Sequence, residues 1–233
     1  MMLRIFPSIM LVLMLALIVS GCTLANRRQA ITEETRAQAA LPEGRGDAYL
    51  FDITIVRQGK KNSARLDVYQ QGDSISFFAR GYLGKGVMKG LLEKESLTVY
   101  FPTENEFYSG RLSAIVTDRC ADSVRFEELI LALFRKIPSL VEAAPEYFYL
   151  TATKETPQEV AYRLESKSCQ GGIGLKYDFT GGRFALSEIS YLSDKGDFRF
   201  EARRRNVRLN IKLPADKFVI PIPSTAARIY PRQ

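Results

Sequence analysis

The chain has 233 residues, and its 33 Lys and Arg outweigh 26 Asp and Glu to give a formal charge of +7. It contains neither His nor Trp, which removes the usual general base, the usual activator of a Ser or Cys nucleophile and the commonest metal ligand. Only carboxylate or Ser-Lys chemistry remains open, so the chain is expected not to be an enzyme and to need no cofactor or metal.

Arg4, an unbroken apolar run from Ile9 to Val19, and then Ser20-Gly21-Cys22 follow the order of parts in an export signal. The run is well short of the roughly 20 apolar residues that a spanning helix needs. Small residues directly before a cysteine resemble the lipobox of bacterial lipoproteins. That resemblance implies that residues 1–21 are a signal peptide and that Cys22 becomes the lipidated N-terminus, anchored in a membrane. Thr23 follows it; under the common bacterial sorting rule Asp there would retain the protein in the inner membrane, so Thr23 points to the outer membrane, facing the periplasm. Arg4 is the one charge in residues 1–21, and its removal takes +7 to +6. In an exported chain this basic balance suits anionic envelope surfaces or plain solubility, and no nucleic acid partner is expected.

Residues 22–46 are polar and end in Pro42, Gly44 and Gly46. They read as the lipidated N-terminus and a flexible tether, with a short helix at Ala30–Leu41. Residues 47–233 then form one domain.

From Tyr49 onward apolar residues alternate at period two, the signature of half-buried strands. Phe51, Ile53 and Ile55 share a face, as do Leu66 with Val68, Ile75 with Phe77 and Ala79, and Leu97 with Val99 and Phe101. Later stripes are Val160/Tyr162/Leu164, Leu175/Tyr177/Phe179, Phe184/Leu186, Ile189/Tyr191, Phe198/Phe200 and Val207/Leu209/Ile211/Leu213. Gln71-Gly72-Asp73, Gly171-Gly172, Thr180-Gly181-Gly182 and Asp194-Lys195-Gly196 supply turns between them. About ten antiparallel strands with one buried face must curl to hide it.

Asp122–Ile137 departs from the alternation. Phe126, Leu129, Ile130, Leu133, Phe134 and Ile137 recur at helical spacing. Asp122 or Ser123 can cap the helix, Arg135 and Lys136 suit its end, and Pro138 stops it. One amphipathic helix within a β-meander is expected on the concave side of the curled sheet. The fold class is therefore mainly β (α+β): a curled antiparallel sheet, or incomplete β-barrel, closed by a helical lid. The residues leave open whether the hollow is filled by its own side chains or kept for a ligand.

Phe77-Phe78-Ala79-Arg80-Gly81-Tyr82-Leu83-Gly84-Lys85-Gly86, then Leu97-Thr98-Val99-Tyr100-Phe101-Pro102, Glu106-Phe107-Tyr108-Ser109-Gly110 and Leu213-Pro214-Ala215-Asp216-Lys217-Phe218-Val219-Ile220-Pro221 resemble the lipoprotein localisation factors. That resemblance implies an incomplete barrel with a helical lid, whose hollow holds acyl chains of lipoproteins in transit. The hollow would be lined by Leu66, Val68, Ile75, Phe77 and Val99 from strands and by Phe126, Leu129, Ile130, Leu133 and Phe134 from the helix. The lipobox favours the family's anchored receptor arrangement. A second role fits the same features: a non-catalytic envelope adaptor that recruits a protein partner through exposed strand edges.

Cys120 and Cys169 remain as an even pair in an oxidising compartment. A bridge would close a loop of about 50 residues, worth roughly 4 kcal/mol in the chain-entropy model; two buried free thiols or a redox pair are the alternatives. The glycines at 81, 84, 86 and 90 fit no phosphate-loop pattern and read as turns and bulges. Arg203-Arg204-Arg205 with Arg208 reads as a charged strand edge or an anionic-lipid contact. Glu93/Glu95 and Glu127/Glu128 read as solvated charge rather than acid–base pairs.

Overall fold

Period-two patterning becomes twelve strands in a computed structural model that describes residues 44–81, 84–111, 130, 133–134, 148–166, 172–192 and 198–230. They are β1 (Gly44–Arg57), β2 (Lys60–Gln71), β3 (Ser74–Arg80), β4 (Gly86–Glu93), β5 (Ser96–Phe101), β6 (Glu106–Arg111), β7 (Phe148–Glu155), β8 (Glu159–Ser166), β9 (Gly172–Thr180), β10 (Arg183–Leu192), β11 (Phe198–Leu213) and β12 (Ala227–Arg228). Their hydrogen-bonded order is β12-β6-β5-β4-β3-β2-β1-β11-β10-β9-β8-β7. Successive strands from β2 to β6 and from β7 to β11 pair antiparallel, and β12 lies parallel to β6. Gln58 and Gly59 between β1 and β2, and Gly181 and Gly182 between β9 and β10, all have positive φ. Two left-handed residues in a row match the twist of the strands that they join.

The mainly β expectation holds, and the α+β part has no support among the described residues, which contain no complete α-helix. Ile130, Leu133 and Phe134 are helical and buried. Phe126 and Leu129 lie outside the described residues, as do Cys22, Cys120, Cys169 and the signal-like N-terminus.

Three strand boundaries differ from the expectation. β1 begins at Gly44, not near Tyr49. Gly44 and Gly46 look like tether residues but are spaces for close approach: a Cβ on Gly46 would press on the Gln70 carbonyl oxygen and the Leu213 methyl. Phe184/Leu186 and Ile189/Tyr191 belong to one strand, and an irregularity between Leu186 and Glu188 explains the change of parity between them. The Phe198 and Val207 stripes likewise form one strand, the 16-residue β11.

The described residues fall into two compact units. The first draws on Ile53–Ser63 and Val116–Arg204, and so holds β7–β10 with the start of β11. The second draws on Gly21–Asp52, Ala64–Ile115 and Arg205–Gln233, and so holds β3–β6, most of β2 and the C-terminal segment.

In the second unit the register sorts side chains cleanly. Leu66, Val68, Ile75, Phe77, Ala79, Met88, Leu92, Leu97, Val99 and Tyr108 share one face. Ser76, Leu91, Thr98 and Ser109 share the other. The C-terminal segment crosses that second face. Its 3-10 turn Ala215–Phe218 sets Phe218 into a cluster with Ala48, Leu91, Leu213 and Ile220. Ser76 Oγ donates to the Lys217 carbonyl at 2.5 Å. Beyond it Asn105 holds Thr225, and the Ala227 and Ile229 amides donate to Asn105 and Phe107 carbonyls at 3.0 and 2.8 Å.

Candidate functional site

The five strand residues expected to line a hollow are brought onto one face. Val68, Ile75, Phe77 and Val99 are 2, 3, 6 and 2% exposed, and Leu66 is half-buried beside them. Phe77 packs over Gly90, its partner across β3 and β4, where a Cβ would collide with the ring. Gly90 is thus neither a turn nor a bulge; it makes room for an aromatic ring on an apolar face. Such a glycine betrays itself only through its cross-strand partner.

The first unit presents a second apolar face. Val160, Tyr162 and Leu164 of β8, Ile173, Leu175 and Tyr177 of β9, Ile189 and Tyr191 of β10, and Phe200 and Ala202 of β11 line up through the register. Tyr177 is fully buried, and its hydroxyl donates to the Leu133 carbonyl at 3.3 Å. That bond ties Leu133 to β9. Burial also raises the Tyr162 hydroxyl above the usual phenol range, with Glu155 adding to the rise. Sequence reading placed Tyr177 in a stripe but missed this hydrogen bond, because tyrosine spacing says nothing of what its hydroxyl reaches.

The reverse side of β8–β11 is charged and internally neutralised. Glu159 bridges Lys154 at 2.8 Å and Lys176 at 2.7 Å. Hydrogen bonds from those two ammonium groups hold its carboxyl below the usual range, and Glu159 in turn raises Lys176. The three consecutive arginines sit in β11, which has neighbours on both sides, so they guard no strand edge. Each has a carboxylate. Arg203 pairs with Glu201 and reaches Glu188 at 3.7 Å, Arg204 reaches Asp178 at 3.2 Å, and Arg205 reaches Asp52 at 3.7 Å. Arg204 also donates to the Ala185 and Leu186 carbonyls at 3.0 Å each, beside the irregularity in β10.

No acid–base pair forms from the glutamates in the described residues. Glu95 is exposed and 3.8 Å from Arg111, while burial raises the Glu93 carboxyl. Glu127 and Glu128 lie outside the described residues. The strand edges are unequal: β12 covers the outer edge of β6, while β7 ends the order with exposed side chains from Thr151 to Glu155.

No family model matches the chain, and no curated protein matches it. Among solved structures it is similar to a domain described as an outer membrane lipoprotein-sorting protein from Vibrio parahaemolyticus, at 9% identity and a TM-score of 0.47 over 74% of this chain and 88% of that one. It is also similar to a DUF1329 family protein from Desulfovibrio piger, at 12% identity and a TM-score of 0.43 over 76% and 90% of the two chains. A LolA superfamily protein from Nitrosomonas europaea matches at 12% identity and a TM-score of 0.38 over 76% and 91%. Likeness at this level decides nothing about activity.

Proposed function

We propose that the chain is a lipid-anchored protein of the bacterial envelope, on the periplasmic face of the outer membrane, which binds acyl chains and takes part in lipoprotein or lipid trafficking. The observation that carries this reading is the apolar face of β8–β11, to which helical Leu133 is tied through the Tyr177 hydroxyl while Ile130 and Phe134 are buried on the same helical stretch. An acyl chain replacing those side chains would exchange one apolar contact for another. Each methylene so buried contributes roughly 0.8 kcal/mol. In this reading Ile130 and Leu133 belong to a lid, Cys22 is the anchor, and no covalent chemistry, cofactor or metal takes part.

The test is native mass spectrometry of residues 23–233, which contain every described strand, purified from a bacterial periplasm. A bound species of acyl-chain mass is expected, and it should be lost in Leu133→Glu. Tyr177→Phe removes only the hydroxyl, at a cost of about 1 kcal/mol, and should release bound acyl chains faster while the protein stays folded. Protein that is empty and refuses added lipid would overturn the reading.

A second reading rests on β7. Its outer edge and exposed side chains suit strand addition by a protein partner, which would make the chain an envelope adaptor. It predicts a crosslinked partner at β7 and no bound lipid.

A further inference from the structure

The C-terminal segment covers only part of the second unit's second face. It lies over the row that contains Ser76 and Leu91 and also meets Tyr100 and Phe107 at the β5–β6 end of the next row, leaving the β2–β4 end. The next row on that face runs Asp67, Phe78, Lys89, Tyr100 and Phe107 through the register of β2–β6. Phe78 is half-buried and carries a cation on either flank: Arg80 Cζ and Lys89 Nζ are each 5.7 Å from its ring centroid. Arg65 stands directly opposite Arg80 across β2 and β3, an arrangement of like charges that costs stability.

Carboxylates do not balance this group. Asp67 bonds Arg80. Asp52 is shared by Arg65 at 3.8 Å and Arg205 at 3.7 Å. Lys89 has no ion pair among the described residues. Four cations thus meet two carboxylates. In β8–β11, by contrast, Lys176, Arg203 and Arg204 each pair with a carboxylate; here the sequence leaves positive charge standing around an aromatic ring.

We propose that this outer face of β2–β4, with Arg65, Arg80 and Lys89 grouped about Phe78, is a docking surface for an anionic phospholipid bilayer. The unbalanced positive charge complements a sheet of lipid phosphates. Cationic side chains over a sheet can meet several headgroups at once, each adding about 1 kcal/mol near an anionic surface. A half-buried aromatic ring between them suits the boundary between headgroups and acyl chains. This surface does not depend on the acyl-binding face of β8–β11, and either can fail without the other.

The experiment is co-sedimentation of residues 23–233, lacking the lipidated cysteine, with vesicles of phosphatidylcholine alone or mixed with phosphatidylglycerol. Wild type should pellet with the mixed vesicles at low salt, release as salt rises, and ignore neutral ones. Lys89→Gln and Arg65→Gln should each weaken binding about fivefold without lowering the thermal midpoint. Phe78→Leu, which keeps an apolar residue, should weaken it less. Equal binding by the charge variants, or by neutral vesicles, would overturn the proposal. So would complete displacement by inorganic phosphate at constant ionic strength, which would mean a free-anion site. A concentration-dependent dimer that both charge variants abolish would overturn it in favour of a second copy.

Discussion

At Gly90 a methyl group would enter the Phe77 ring, because the two residues face one another across β3 and β4. Gly90→Ala should therefore cost about 1–3 kcal/mol, as overpacking does, read as a lower urea midpoint at unchanged slope. An unchanged midpoint would mean that Phe77 can swing aside. Glu159 gives a second expectation at this scale. Its carboxyl is lowered by Lys154 and Lys176, so its contribution is full above the ordinary value of 4.5 and is lost as pH falls through the lowered one. The stability gap between wild type and Glu159→Gln should close on acidification across that window and shrink in salt; a gap that does not change with pH would show that the bridge contributes nothing. Individual roles were only partly legible in the sequence. Alternation placed Leu66, Val68, Ile75, Phe77 and Val99 on one face, because period two alone decides that. The roles of Gly90 and Arg204 depend on cross-strand partners, which the local sequence does not name.

Arg204 belongs with the strand that it repairs. Beside the irregularity between Leu186 and Glu188 the guanidinium donates to the Ala185 and Leu186 carbonyls while pairing with Asp178. With its side chain 11% exposed, Arg204→Met should cost roughly 2–4 kcal/mol, mostly from unmet carbonyls. Equilibrium denaturation measures it, and a cost below half a kcal/mol would mean that water replaces the guanidinium. The parity change from Phe184/Leu186 to Ile189/Tyr191 was visible in the sequence, although it reads as two strands as easily as one interrupted strand. β1 was foreshortened for a related reason. Gly44 and Gly46 read as tether on composition, but close approach to Gln71 and to Gln70 and Leu213 respectively also favours glycine.

Across the whole molecule, mostly β architecture followed from alternation and turn chemistry, but the strand order could not, since pairing of β1 with β11 joins residues far apart in sequence. The role of the C-terminal segment was equally hidden: beyond the last stripe at Leu213, nothing in the pattern of Phe218 and Ile220 says that they cover a sheet face. Deleting residues 215–233 should uncover Leu91 and Leu213, raise binding of an apolar dye and lower the melting temperature. Unchanged dye binding would assign the segment a role outside the core. β1 also has a consequence in time. Its second neighbour, β11, starts about 140 residues later, roughly ten to thirty seconds of synthesis at common elongation rates. Throughout that interval a 14-residue strand carrying Tyr49, Phe51, Ile53 and Ile55 keeps one hydrogen-bonding edge bare. The newborn chain therefore carries an open strand edge, a site for mispairing, until β11 is made.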